Sequence, residues 1–130
     1  MSIAVGDVIP AWTMESVSAE KMKTMAAILR DPNPVHWDQQ AVADLPLGLG
    51  HRTINQGPLG LSYIFNMLHT WQSPGCVKRI HMTFPQVVLD GDRVTSKGII
   101  TAIGDDGIEC EVWLERAGER LLEGTALVGH

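Results

Sequence analysis

The spacing of hydrophobic positions changes from every second residue to every third or fourth within the first 30 residues. Residues 12–17 alternate apolar and polar side chains after turn signals at residues 6–10, which predicts a short edge strand. Ser18 can cap a following helix, and Glu20 lies in its first turn, where the helix dipole favours an anion. The apolar residues of this helix recur at steps of three and four: Met22, Met25, Ala26 and Leu29. That stripe is typical of a face packed on a core.

Two segments with less regular hydrophobic patterns come before the longest apolar run. Residues 38–44 predict a short helix, which Pro46 stops. Residues 45–56 predict a loop, because a proline and two glycines stand too close together for a regular element. A loop of this length in a compact domain is often functional.

The segment 57–71 predicts a buried central helix. Gly57-Pro58 is typical of a helix start, because proline at the first position loses no hydrogen bond. The residues that follow are apolar on nearly all sides, with one face formed by Leu61, Ile64, Phe65 and Leu68. Gly60 would let another backbone approach closely, and residues 72–75 (QSPG) end the helix.

After Cys76 the period changes from 3.6 to 2. Residues 77–88, 92–103, 108–116 and 119–128 alternate or are rich in β-branched side chains. The turns between them, at Asp90-Gly91, residues 104–107 and Ala117-Gly118, predict hairpins. Consecutive strands of this kind predict an antiparallel sheet, and the central helix is the natural cover for its buried face. The predicted fold is therefore a single α+β domain over residues 1–130, with the sheet curled around the helix.

Composition narrows the class of protein. The chain has 130 residues, 45% of them hydrophobic, and a net charge of −5, which argues against a nucleic-acid partner. Residues 1–7 lack a signal-peptide pattern and no apolar run is long enough to cross a membrane, so we expect a cytoplasmic protein. In that compartment Cys76 and Cys110 are expected to be free thiols, although a pair is also possible. The histidines show no zinc-site spacing, and no metal is expected.

The segment 31–36 (DPNPVH) carries the candidate chemistry. Two prolines in three residues stiffen the backbone where the first helix must stop. The turn thereby presents a carboxylate, an amide and an imidazole, from Asp31, Asn33 and His36, a set suited to moving protons. A helix-ending turn with a surface histidine is the alternative interpretation.

Residues 28–36 (ILRDPNPVH), followed about twenty residues later by a glycine that opens an apolar helix, resemble the MaoC-like, (R)-specific enoyl-CoA hydratases of the hotdog fold. The order of predicted elements over the whole chain is similar as well. The resemblance implies that Asp31 and His36 form the catalytic pair and that Asn33 holds the site together. It also implies that the N–H of Gly57 binds the thioester oxygen of the substrate.

The same resemblance implies reversible addition of water to a trans-2-enoyl thioester. Acyl-CoA would be the substrate, no cofactor would be needed, and the protein would be a homodimer or an assembly of dimers. Ser62 would add a hydrogen bond to the substrate or bond within its own helix. Arg30 stands where the family usually has glycine, and it could narrow the site, pair with Asp31 or reach a CoA phosphate. Gln56 replaces a common histidine.

Basic side chains near the predicted strands have two interpretations. They could contact CoA phosphates or could be solvated guards of strand edges. The five candidates are Arg52, Lys78, Arg79, Arg93 and Lys97. Two rival functions remain at this point: a hotdog thioesterase, and a catalytically silent acyl-binding subunit that supports an active partner.

Overall fold

The computed structural model describes residues 2–31 and 33–129. Over these residues the chain forms three α-helices, five strands and one turn of 3-10 helix at Pro34–His36. The helices are α1 (Ala19–Leu29), α2 (Gln39–Ala43) and α3 (Gly57–Trp71). The strands are β1 (Val8–Met14), β2 (Val77–Thr83), β3 (Val94–Gly104), β4 (Gly107–Arg116) and β5 (Glu119–Val128).

All five strands form one antiparallel sheet in the order β1-β3-β4-β5-β2. The predicted hairpin between the second and third strands, at Asp90-Gly91, is wrong, because β2 pairs with β5 at one edge of the sheet and β3 lies three places away. Strand β2 is also shorter than the predicted 77–88, since Pro85 cannot donate a ladder hydrogen bond. Residues 84–93 instead connect the edge of the sheet to its other half.

Helix α3 lies on the sheet and contacts all five strands. Its buried side is rotated from the predicted one: Tyr63, Ile64, Met67 and Leu68 are buried, whereas Leu61 and Phe65 are half-buried. Tyr63 turns inward because its ring stacks on Trp12 of β1, with 5.9 Å between ring centroids. The α+β fold of a sheet around a central helix is confirmed.

The first strand begins earlier than predicted. Strand β1 spans Val8–Met14 instead of residues 12–17, and its register with β3 shifts between Ile9 and Trp12. The bulge accommodates Pro10, which sits on an edge strand where its missing N–H is tolerated. Gly60 also differs from expectation, since a methyl group there would meet only side chains, at an ordinary 3.5 Å from Asn55.

Helix α1 ends in a left-handed residue. Ser18 accepts a hydrogen bond from Lys21 N–H as predicted, and Arg30 closes the other end with φ of 53°. Asp31 N–H donates to the carbonyl of Ala26 and Arg30 N–H donates to those of Ala26 and Ala27, as in a Schellman ending. This conformation explains why glycine would suit position 30, and it turns the chain sharply into the segment that begins at Asp31.

Both cysteines are free and buried. Burial raises the pKa of the Cys110 thiol to about 11, and the nearby Cys76 and Glu109 add to the shift. A thiol held protonated in this way is a poor nucleophile.

Candidate active site

Asp31 and His36 lie side by side at the end of α1. The distance from Asp31 Oδ2 to His36 Nε2 is 3.3 Å, and the side chains are 34% and 13% exposed. This separation is longer than the 2.7–2.9 Å of a tight charge-assisted bond. The two predicted catalytic residues are therefore brought close enough for one ligand atom to contact both.

Asn33 holds the turn that joins them. Its N–H donates to Asp31 Oδ1 over 3.1 Å, and its own Oδ1 accepts from Val35 N–H over 3.3 Å. These short-range bonds start the 3-10 turn that ends at His36. Pro32, one of the two prolines predicted to stiffen the turn, lies outside the described residues. Contact of Asn33 with substrate stays a prediction.

The second imidazole nitrogen is anchored to the backbone. His36 Nδ1 lies 2.7 Å from the carbonyl oxygen of Ile54. A carbonyl can only accept, so Nδ1 carries the proton of this hydrogen bond. In the neutral ring Nε2 is then a bare acceptor, and it faces the Asp31 carboxylate. Two proton acceptors placed together in this way are suited to gripping one water molecule or sharing one proton.

The start of α3 opens into a cavity of about 220 Å³. Ile54, whose carbonyl holds His36, lines this cavity together with Asn55, Gln56 and Gly57. The Gln56 side chain does not cap the helix, because its Nε2 donates instead to the carbonyl of Met22 over 2.7 Å. The first turn of α3 therefore keeps uncapped N–H groups and the positive end of the helix dipole beside the cavity.

Two amides at the cavity wall are deeply buried. Gln56 is 2% exposed, and its Oε1 has no hydrogen-bond partner among the described residues. Asn55 is 6% exposed and lies against Tyr63. Burial raises the pKa of Tyr63, and the Asn55 amide partly offsets that rise. Sequence reasoning did not single out Asn55, since an amide in a loop carries no signal of its own burial.

The sequence also predicted that Ser62 and Arg30 bind the substrate. Ser62 Oγ donates to Leu59 O over 2.5 Å, which is the within-helix alternative, so its hydroxyl proton is already used. Arg30 is exposed and forms no ion pair with Asp31 or any other described residue. Substrate binding by either residue stays a prediction.

The five basic candidates for CoA contacts all have protein partners. Arg52 pairs with Asp92, Arg79 with Glu109, Arg93 with Glu15, and Lys97 with Glu115, while Lys78 donates to Asp106 O. Only Lys78 and Arg79 lie on an edge strand, β2, and contact of any of the five with CoA stays a prediction.

A buried charge cluster lies behind the site, and sequence reasoning missed it. Asp92 is 5% exposed and accepts bonds from Arg52, from Arg116 and from Leu89 N–H. Burial alone would raise the pKa of Asp92, but these three donors together lower it below its usual value. Asp90 holds the adjoining loop, since its Oδ2 accepts from both Thr53 N–H and Thr53 Oγ1.

A larger depression of about 630 Å³ lies beside the site, lined by Lys23, Trp37, Asp38 and His51 among others. Neither Asp31 nor His36 lines this depression or the cavity at the start of α3, to which His36 is linked only through Ile54. Within residues 2–31 and 33–129 no three histidine, cysteine or acidic side chains are grouped to hold a metal ion. No helix in the described part of the chain has the length and apolar character needed to cross a membrane.

A sheet wrapped around one long helix, with a polar pair beside the start of that helix, places this chain in the hotdog class. The family model described as "MaoC like domain" matches residues 5–111. The chain therefore belongs to the MaoC-like domain family, as the turn at residues 31–36 predicted. Comparison of the sequence with curated proteins gives no match.

Solved structures with the same fold have diverse descriptions. An (R)-hydratase from A. caviae involved in PHA biosynthesis is 24% identical, with a TM-score of 0.86, over 98% of this chain and 97% of that one. The ChsH1-ChsH2 complex from Mycobacterium tuberculosis is 21% identical, with a TM-score of 0.82, over 98% of each chain. A mutant of the fluoroacetyl-CoA-specific thioesterase FlK is 14% identical, with a TM-score of 0.65, over 100% of this chain and 90% of that one. At these identities the likeness shows the fold alone.

Proposed function

We propose that this protein is an (R)-specific enoyl-CoA hydratase that also runs the reverse dehydration of 3-hydroxyacyl-CoA. The observation that carries the proposal is the Asp31–His36 contact of 3.3 Å, with the imidazole anchored through Nδ1 to Ile54 O. The anchor leaves Nε2 free to work with the carboxylate. Membership of the MaoC-like family and the likeness to an (R)-hydratase support the same activity.

In the proposed reaction the pair grips one water molecule. As the water oxygen bonds to the β-carbon of the enoyl thioester, the pair removes one proton, and the electrons of the double bond shift toward the thioester oxygen. The pair then returns a proton to the α-carbon on the same face. Positioned acid–base groups of this kind contribute about 10²–10⁴-fold in rate. The reaction is redox-neutral, so it needs no redox cofactor, and acyl-CoA would be the substrate.

The start of α3 would stabilise the enolate-like intermediate. The N–H of Gly57 lies at the positive end of the helix, and the thioester oxygen gains negative charge as water adds. A single preorganised donor of this kind is worth about 10²–10³-fold in rate. Asn33 would keep the turn in place, and Arg30 would contact the CoA portion. Ser62 would donate to the thioester only by giving up its hydrogen bond to Leu59 O.

Two subunits would complete the site. Strands β1 and β2 each have one neighbour in the sheet, which leaves two edges open to pairing with a second copy. We propose a homodimer or an assembly of dimers, with the acyl group entering at the interface. Sedimentation should show a species of at least 28 kDa, twice the 14.2 kDa of one chain, whereas a lone monomer would contradict the proposal.

One assay separates this function from its rivals. The protein is incubated with crotonyl-CoA and, separately, with butanoyl-CoA, and both hydration and release of free thiol are followed. Hydration of crotonyl-CoA alone is the expected result. Thiol release from both would instead indicate a thioesterase, for which the likeness to FlK is the supporting observation. Binding without either reaction would indicate a silent acyl-binding subunit.

A further inference from the structure

An aromatic ring covers the start of the central helix. Phe84 lies directly over Gly57: a methyl group added at that glycine would sit 3.2 Å from Phe84 Cε2. The ring is nevertheless 51% exposed, so it is not held in the core. It follows the last residue of β2 and precedes Pro85, where the chain leaves the sheet. A half-exposed ring at such a place can change rotamer without disturbing the core.

The ring separates two spaces. On one side is the cavity of about 220 Å³ that contains Gly57, Asn55 and Gln56. On the other is a groove of about 270 Å³ lined by Leu47, Leu49 and Pro85. Phe84 belongs to the walls of both, as do its neighbours Gln86 and Val87. Both spaces are mainly apolar, and the inner one also contains the helix start and two buried amides.

The volumes set what each space can hold. A water molecule takes about 30 Å³, so the inner cavity has room for about seven water-sized groups. The thioester carbon, oxygen and sulfur take about three of these places at Gly57, which leaves room for about four further chain carbons, and a longer chain would need further space. The outer groove lies directly beyond the ring, and its exposed Leu47 offers the apolar contact that such a chain needs.

We propose that Phe84 is the partition that sets acyl-chain length. With the ring over Gly57 the site accepts short acyl chains, and displacement of the ring joins the inner cavity to the groove along Leu47 and Leu49 for longer ones. This inference rests on the proposed function for its substrate class, a CoA thioester, and requires no particular reaction at the thioester. It therefore can be tested by binding as well as by turnover.

The test compares the binding of butanoyl-CoA and octanoyl-CoA, measured by calorimetry, in the wild type and in Phe84→Ala. Each buried methylene is worth about a factor of four in affinity, so four more of them allow up to about 200-fold. We expect the ratio of octanoyl to butanoyl affinity to rise at least about tenfold in the variant. Ile103→Ala, an exposed apolar residue of β3, is the matched control and should leave the ratio unchanged.

A second variant tests the path beyond the ring. In Phe84→Ala/Leu47→Trp a large side chain fills the outer groove, so the gain for octanoyl-CoA should disappear. Three results would overturn the partition. The ratio of octanoyl-CoA to butanoyl-CoA affinity could rise less than about tenfold in Phe84→Ala, or the rise could survive the addition of Leu47→Trp. The third result is no binding of either thioester. A shifted binding ratio in a protein that does not hydrate crotonyl-CoA would support the partition and overturn the hydratase proposal.

Discussion

The carboxylates of Asp92 and Asp31 both lie beside basic side chains, but their surroundings are opposite. Asp92 is nearly sealed from water and accepts from two arginines and one backbone N–H. Asp31 is one-third exposed, and its neighbours Asn33 N–H and His36 Nε2 lie 3.1 and 3.3 Å away. The first carboxylate has its acceptor capacity used by the fold, while the second keeps capacity for a ligand. The share of its hydrogen-bond acceptor capacity that the fold already uses therefore distinguishes a structural carboxylate from a candidate catalytic one.

The two regions are also connected. Arg52, which pairs with Asp92, donates to the carbonyl of Asp90 as well, and the Asp90 carboxylate holds Thr53. The next residue is Ile54, whose carbonyl fixes the tautomer of His36. The buried charges thus position the backbone on which the exposed pair depends.

The largest predicted effect falls on the exposed pair. Asp31→Asn keeps an oxygen for Asn33 N–H but removes the charge, so hydration of crotonyl-CoA should fall at least about 10³-fold with the turn intact. Asp38→Asn is the matched control, since Asp38 Oδ1 also accepts from a backbone N–H two residues on, that of Gln40. The control should keep wild-type activity. Equal losses in the two variants would remove the distinction between Asp31 and an ordinary turn residue.

Substitution of the buried carboxylate, Asp92, should lower stability, whereas substitution of Asp31 should lower activity. Asp92→Asn breaks two ion pairs, and we expect the free energy of unfolding in urea to fall by about 2–3 kcal/mol. The upper part of the usual range is not expected, because Arg52 and Arg116 are 46% and 30% exposed and can rehydrate. The exposed pair Arg79–Glu109 provides the control, and Glu109→Gln should change stability by less than about 1 kcal/mol. If Asp92→Asn also changed stability by less than about 1 kcal/mol, the ion pairs of Asp92 would not be stabilising the fold.

The stabilisation by Asp92 should depend on pH. Its pKa in the folded protein lies below that of the unfolded chain, which is about 3.9. The stabilisation is therefore complete above about pH 4 and is lost as the pH falls through the folded-state value. Urea unfolding at pH 6 and at pH 3 should show a difference between wild type and Asp92→Asn that shrinks in acid. An unchanged difference would contradict the charge-based explanation.

The smallest predicted effect concerns the residue before the exposed pair. Arg30 has φ of 53°, a conformation that costs a side-chain-bearing residue about 1–2 kcal/mol. Arg30→Gly should stabilise the protein by about 0.5–1 kcal/mol once the greater chain entropy of glycine is included. Ala117→Gly relieves the same conformation at φ of 50° in the distant β4–β5 turn and should match that gain. If Arg30 contacts CoA, only Arg30→Gly will raise the KM for acyl-CoA.

Local signals in the sequence located most of the fold. The cap at Ser18, the glycine-proline start of α3 and the period-2 strands depend on neighbours in the chain, and the structure confirms them. The wrong hairpin at Asp90-Gly91 has a physical reason. A turn sequence reports only that the chain reverses, whereas β2 pairs with β5, the last strand in the chain, through contacts that are distant in sequence.

The candidate site was predictable in part for the same reason. Asp31 and His36 are five residues apart on one stiff turn, so the sequence could place them together. The anchor of His36 on Ile54 O and the contact of Phe84 with Gly57 join segments 18 and 27 residues apart, and the burial of Asn55 depends on tertiary packing. A single sequence carries no direct signal of such contacts.

Hydration of crotonyl-CoA in D₂O, followed by stereochemical analysis of the product, tests the central claim most directly. One water molecule held by the Asp31–His36 pair should add its oxygen and a deuteron to the same face of the double bond. The expected product is (R)-3-hydroxybutanoyl-CoA with a single deuterium at the α-carbon, on the face that bears the hydroxyl group. Deuterium on the opposite face, or on both faces equally, would contradict a single Asp–His pair that handles both proton transfers.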